Sequence, residues 1–382
     1  MQRKSTNGDD VKKILIIMSS VFFLLGLSTI TVTASEINEI YDTTPLYESL
    51  SDEVKDNLSN LGINGIDTDA LQNLTFSDVI DEIVNLAGKN LDSPLKALIS
   101  ITALLLICSL LSTYKTTLSS DISDSINIAA VLCVTCTAAF PTLKVIENTA
   151  DVIKTATDFM LAFVPVMVIA MSVSGNGISG ASYYSVMLAT GQGVAQLSSK
   201  VVVPFLNMFL GIAVTGGVCP EVKLSGINTL ISKLVKWLLG FAMTVFTAVL
   251  SFRQIITVSA DDISTRAVRF TLSSFIPIVG SALSEAYKTV QGSVNLLKSG
   301  LGVFAIISIA FVFLPVILQC ILWIFTLTIG KSIAEVLDIS KVKDLLEGIC
   351  SVLSTLLAIV LCIMSIYIIS TALVLLLGRG GV

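Results

Sequence analysis

The chain has 382 residues, 54% of them hydrophobic and only 13% charged, with a mean hydropathy of +0.89. A soluble domain is about one quarter charged, so too few solvated side chains are present for a water-soluble body of this length. There is no histidine, which removes His triads, His metal sites and His proton relays together. The net charge of −5 gives no footprint for nucleic acid. The class indicated is an all-α polytopic membrane protein with no cofactor.

Arg3, Lys4, Lys12 and Lys13 precede an apolar stretch from Ile14 to Leu27, and Val32-Thr33-Ala34 follows. A basic part, an apolar part and a small-residue part make a secretory signal peptide of residues 1–34, cut after Ala34. The alternative is an uncleaved first transmembrane helix. On either reading the next segment crosses the membrane. Residues 35–93 hold thirteen acids, from Glu36 to Asp92, against Lys55 and Lys89. Leu46, Leu50, Val54 and Leu58 keep helical spacing, as do Val79, Ile80, Ile83, Val84 and Leu86. We expect two short amphipathic helices in an acidic extracytoplasmic region, joined by the turn-rich Asn60–Asp69. No D-x-[DN]-x-[DN]-G calcium loop occurs there, so the acids read as a solvated cap whose apolar faces can dock a partner.

Pro94–Leu111 and the weaker Ile126–Leu143 make two leading transmembrane helices within residues 94–150. Val201–Val218, Trp237–Val258, Leu301–Ile329 and Ser351–Leu377 are further spans. Two shorter pieces are interrupted: Phe159–Val173 contains Pro165 and runs into Ser174-Gly175-Asn176-Gly177, and Phe270–Leu283 contains Pro277 and Gly280. Phe163-Val164-Pro165-Val166 resembles Phe275-Ile276-Pro277-Ile278, Pro204 corresponds to Pro315, and Leu224-Ser225 to Ile339-Ser340. The core therefore reads as a tandem-repeat helical bundle, residues 151–260 and 261–382, with two broken or re-entrant segments. Breaks at matching places in two halves point to a transporter-like centre lined by Phe163, Pro165, Gly175, Gly177, Phe275, Pro277 and Gly280. If the broken pieces do not cross, six spans remain; if they do, there are eight and the halves are inverted.

Arg253 near the end of a span fits snorkelling to the interface. Arg266 and Arg269, one turn apart, suit lipid headgroups or a partner carboxylate, as does their repeat-mate Lys154, with Glu285 a further charged contact. Gly330-Lys331-Ser332 lacks the earlier glycine of a phosphate-binding loop. Cys133 and Cys136 form a C-x-x-C inside an apolar run, read as packing residues with redox chemistry the alternative. The glycines of Gly175–Gly180 and Gly191-Gln192-Gly193 allow either close helix approach or a flexible connection.

Arg266-Ala267-Val268-Arg269-Phe270, Ser274-Phe275-Ile276-Pro277-Ile278-Val279-Gly280 and Ala282-Leu283-Ser284-Glu285 resemble the stage III sporulation protein AE family. So does the pattern from Leu224-Ser225 through Trp237-Leu238-Leu239-Gly240 to Leu250-Ser251. The resemblance covers nearly the whole chain. It implies a multi-pass protein made in the mother cell of endospore formers, in the membrane around the forespore. There it would belong to a channel or secretion-like complex with other stage III sporulation A proteins and a forespore-side partner. It supplies no catalytic residue. The expectation is a non-enzymatic, permease-like or scaffold subunit; the alternative is an independent secondary transporter with its site at the repeat interface.

Overall fold

Long apolar runs without charge favour helices, because only a helix pairs its own backbone inside a bilayer. The computed structural model describes residues 44–63, 74–113, 120–218, 225–275 and 280–377. Two short helices come first, α1 (Thr44–Glu48) and α2 (Asp52–Asn60). Then follow α3 (Phe76–Thr113), α4 (Ser120–Val173), α5 (Gly177–Leu197), a π turn (Ser198–Val202), α6 (Val203–Val218), α7 (Ser225–Phe275), α8 (Gly280–Val336) and α9 (Ser340–Leu377). Counting α5 through α6 as one, six stretches are long and apolar enough to cross a membrane. The π turn precedes Pro204, whose missing N–H already loosens the ladder there. The signal-peptide expectation at 1–34 lies outside the described residues, as does Pro277.

The six spans agree with the arrangement without extra crossings, but for a different reason. α4 is one helix of 54 residues that runs uninterrupted through both Pro141 and Pro165. The expected break at Pro165 is absent; the chain reverses at Ser174–Asn176 instead. Proline costs a helix one hydrogen bond, which the surrounding turns of so long a helix can carry. The boundary expected at 93/94 likewise falls inside α3, which continues through Pro94. Val79 to Leu86 are therefore the first turns of a spanning helix and not a separate amphipathic one.

α8 and α9 form the axis. The most apolar stretch of each is 67% buried, against 6% for α7. Phe304, Phe313 and Trp323 of α8 and Val352, Leu356 and Tyr367 of α9 are all essentially inaccessible. Phe304 also packs on Phe159 of α4. Side-chain hydrogen bonds tie the outer helices to this axis: Thr157 Oγ1 with Tyr367 Oη at 2.8 Å, and Ser232 Oγ with Thr355 Oγ1 at 2.9 Å. The acidic N-terminal helices are not a free cap. Leu46, Leu50, Val54 and Leu58 are at most 3% exposed and belong to the same core as the bundle, with α1 on α4 and α2 on α8. The face expected to receive a partner is closed by the chain itself.

Close backbone approach sets the contact between α6 and α9. A Cβ on Gly217 would lie 2.7 Å from Leu345 Cβ, and one on Gly348 would lie 2.9 Å from Ala213 Cβ. Small residues at such crossings let helices gain contact that lipid cannot replace. Gly348→Val is therefore expected to destabilise the fold by about 1–3 kcal/mol. Gly226→Ala on α7, where nothing lies within 4 Å, should be neutral or stabilising. Thermal unfolding of the purified protein in detergent reads both.

Candidate functional site

The reversal between α4 and α5 is the place where the sequence gathers polar groups inside an apolar body. α4 ends as glycine-terminated helices do. The Asn176 N–H donates to Met171 O at 2.9 Å and the Gly175 N–H to Ser172 O at 3.1 Å, with Gly175 at φ 84°. That left-handed conformation is available to glycine at little cost. α5 then starts with backbone N–H groups that no helical partner can accept.

Asp261 of α7 accepts them. Its two carboxylate oxygens take the N–H groups of Ile178 and Ser179, each at 2.8 Å. One turn on, Thr265 Oγ1 donates to Gly175 O at 3.2 Å. Asp261 is 2% exposed, so a carboxylate here relies on those donors and on the positive end of α5. Lys298 of α8, also 2% exposed, lies within electrostatic range of Asp261, and its Nζ has no hydrogen-bond partner. Ser179 Oγ is buried without one too. The arrangement is a latch. Charge-assisted hydrogen bonds fix α5 to α7, and the carboxylate field offsets part of the cost of burying the Lys298 ammonium.

The expected site residues divide around this latch. Gly175 makes the turn and Gly177 opens α5. Phe163 is fully buried in α4 and stacks on Phe159 with ring centroids 6.3 Å apart. Pro165 and Lys154 are exposed on α4, and Arg253 and Arg266 on α7. Phe275 ends α7 and Gly280 begins α8. The backbones of Arg269 and Glu285 lie in α7 and α8, while their side chains lie outside the described residues. Close approach explains two of the glycines: a Cβ on Gly180 would touch Met171 Cβ at 3.4 Å, and one on Gly191 Leu161 Cδ2 at 3.4 Å. Sequence reasoning missed Asp261, Thr265 and Lys298. The available signal was an acid pair, Asp261-Asp262, directly after an apolar span, and a lysine directly before another. Among the described residues no group of three or more Cys, Asp or Glu side chains gathers as metal donors.

Removing one member of a buried charged cluster costs more than removing both. Asp261→Ala should lower stability by about 3–5 kcal/mol, and adding Lys298→Met to it should restore at least about 1 kcal/mol. Urea or thermal unfolding of the four proteins of the cycle in detergent measures the difference. Additive losses would remove Lys298 from the latch.

The profile described as stage III sporulation protein AE matches residues 64–378. Stage III sporulation protein AE of Bacillus subtilis (strain 168) is 24% identical over 161 residues, which are 42% of this chain and 40% of that protein. The match thus spans well under two thirds of the relative. No solved structure matches the chain. The latch at Gly175 and all of α3 to α9 fall within the matched residues, and the chain belongs to the stage III sporulation protein AE family.

Proposed function

We propose that this protein is a non-enzymatic membrane subunit of a channel or secretion-like complex between mother cell and forespore. On this reading it sits in the mother-cell-derived membrane around the forespore. Its partners are other stage III sporulation A proteins, a forespore-side protein and the bilayer, and its role is permease-like or that of a scaffold. Family membership supports the sporulation setting.

One observation favours a complex subunit over an independent transporter. The outer face of α7 exposes Ile227, Leu230, Leu234, Trp237, Phe241, Val245, Val249, Phe252, Ile256, Ile263 and Phe270, each 45–71% accessible. From Ile227 to Phe270 this stripe is about 65 Å long at 1.5 Å per residue. Hydrocarbon is about 30 Å thick, and even a tilt of about 40° leaves a stripe of about 50 Å. Lipid covers part of it, and other proteins cover the rest.

The tandem repeat belongs to the same proposal. α6 and α8, which carry the matched Pro204 and Pro315, are each followed in the chain by a helix beginning at the matched Ser225 and Ser340. Two crossings per repeat make the halves parallel. If residue 35 is outside, six crossings return the end of α9 to the outside, and Lys233, Lys331, Lys341 and Lys343 lie toward the cytoplasmic ends. At that end Lys343 pairs with Glu335 at 2.7 Å and Lys331 with Glu347 at 3.7 Å.

The double variant Ile263→Lys/Phe270→Lys should lose co-purification with other stage III sporulation A proteins from sporulating cells at least tenfold, with unchanged amounts of the chain in the membrane. Undiminished co-purification would remove the argument from α7. Solute uptake by the purified chain alone in liposomes would favour the secondary transporter.

A further inference from the structure

The face of α4 turned away from the bundle is apolar at both ends and charged in the middle. Lys144, Glu147, Asp151, Lys154 and Asp158 recur at steps of three and four, so they form one stripe, and all are exposed. Phe140 and Ile169, on the same face before and after the stripe, are 63% and 52% exposed.

The level of this stripe in the bundle can be read from the contacts. On the axis, Thr157 of α4 meets Tyr367 of α9, and Ser232 of α7 meets Thr355 of α9. Asn228 of α7 lies beside Gly348 of α9, so α7 and α9 run the same way. Tyr367 stands about 18 Å beyond Thr355 along α9, which puts Thr157 level with the part of α7 near Thr244. There α7 exposes Trp237, Leu238, Phe241 and Val245, between 45% and 67% accessible. At one height, therefore, the bundle is charged on its α4 side and apolar on its α7 side. No single surrounding satisfies both. Lipid at this height would meet the ionisable side chains of Asp151, Lys154 and Asp158 on α4, and water would meet an aromatic and aliphatic ridge on α7.

We propose that copies of this chain assemble about a common axis normal to the membrane, with α7 outward in lipid and the α4 stripes inward on a shared hydrated lumen. The sign pattern suits like copies. Lys154 stands one turn from Asp151 and from Asp158, so neighbours offset by a turn set lysine beside acid. Phe140 and Ile169 supply apolar contacts at the two ends of the stripe. The inference rests on the membrane-subunit reading above and deepens it by naming the wall of a conduit.

The test uses the full-length chain in lipid nanodiscs, with a charged, membrane-impermeant methanethiosulfonate as the probe. Native mass should be a whole multiple of the single chain without any substitution. Asp151→Cys should react at least tenfold faster than Leu238→Cys, each compared with the parent chain and its own cysteines. A single-chain mass would overturn the proposal, and would leave the proposed function standing if the chain still co-purifies with its sporulation partners. An oligomer in which Asp151→Cys is as slow as Leu238→Cys would overturn the lumen. Oxidative cross-linking of Asp151→Cys in cells to an unlike protein, with no linked pair of this chain, would assign the stripe to another partner.

Discussion

Hydrocarbon about 30 Å thick accommodates about twenty helical residues, whereas α4, α7 and α8 of this protein have 54, 51 and 57. Almost every other feature follows from that mismatch. Helices of this length cannot be understood as spans with loops at the two membrane surfaces. A substantial part of each lies beyond the lipid, where apolar side chains must be buried by protein. The core of α8 and α9 meets that demand internally. The docking of α1 and α2 on α4 and α8 meets it again at the N-terminal side. Only 6% of the most apolar stretch of α7 is buried, and there the requirement passes to other molecules.

Long parallel and antiparallel rods also need to be held in register, since apolar packing alone permits sliding. The polar contacts provide this. Asp261 accepts from the start of α5, Thr265 donates to the turn before it, and hydroxyl pairs pin α4 and α7 to α9 at separate heights. Each pair is only modestly stabilising, about 1 kcal/mol when measured between membrane helices, but each is directional. Gly217 and Gly348 add a steric register mark, because a close crossing is possible only where both helices are narrow. The fold is thus held by dispersion along its length and located by a few hydrogen bonds.

How much of this was legible in the sequence differs by feature. The spans were readable because hydropathy is a local sum, and the helical spacing of Leu46 to Leu58 was readable for the same reason. What those leucines pack against was not, since burial on α4 and α8 depends on chain return. Pro165 misled because proline marks a tendency to break, and a 54-residue helix supported on several sides retains its course. The actual reversal was written in Ser174-Gly175-Asn176, noticed as a glycine-rich connection but not as a helix stop. Asp261 and Lys298 are distant in sequence from Ser179 and carry no motif, so only the folded chain brings them to one place. Lys154 is legible in the sequence through its repeat-mate Arg266, while the stripe it belongs to emerges only from the exposure of one face of α4.

The claim that the bundle outreaches the membrane can be measured directly by the depth of the α7 face. Single spin labels at positions 230, 241, 252, 263 and 270 of the purified chain in nanodiscs would report access to oxygen from the lipid and to a nickel chelate from water. A bundle longer than the bilayer gives oxygen-dominated access over a run of roughly twenty residues and nickel-dominated access at the labels beyond it. Oxygen-dominated access at all five positions would place the whole face in lipid and contradict that claim.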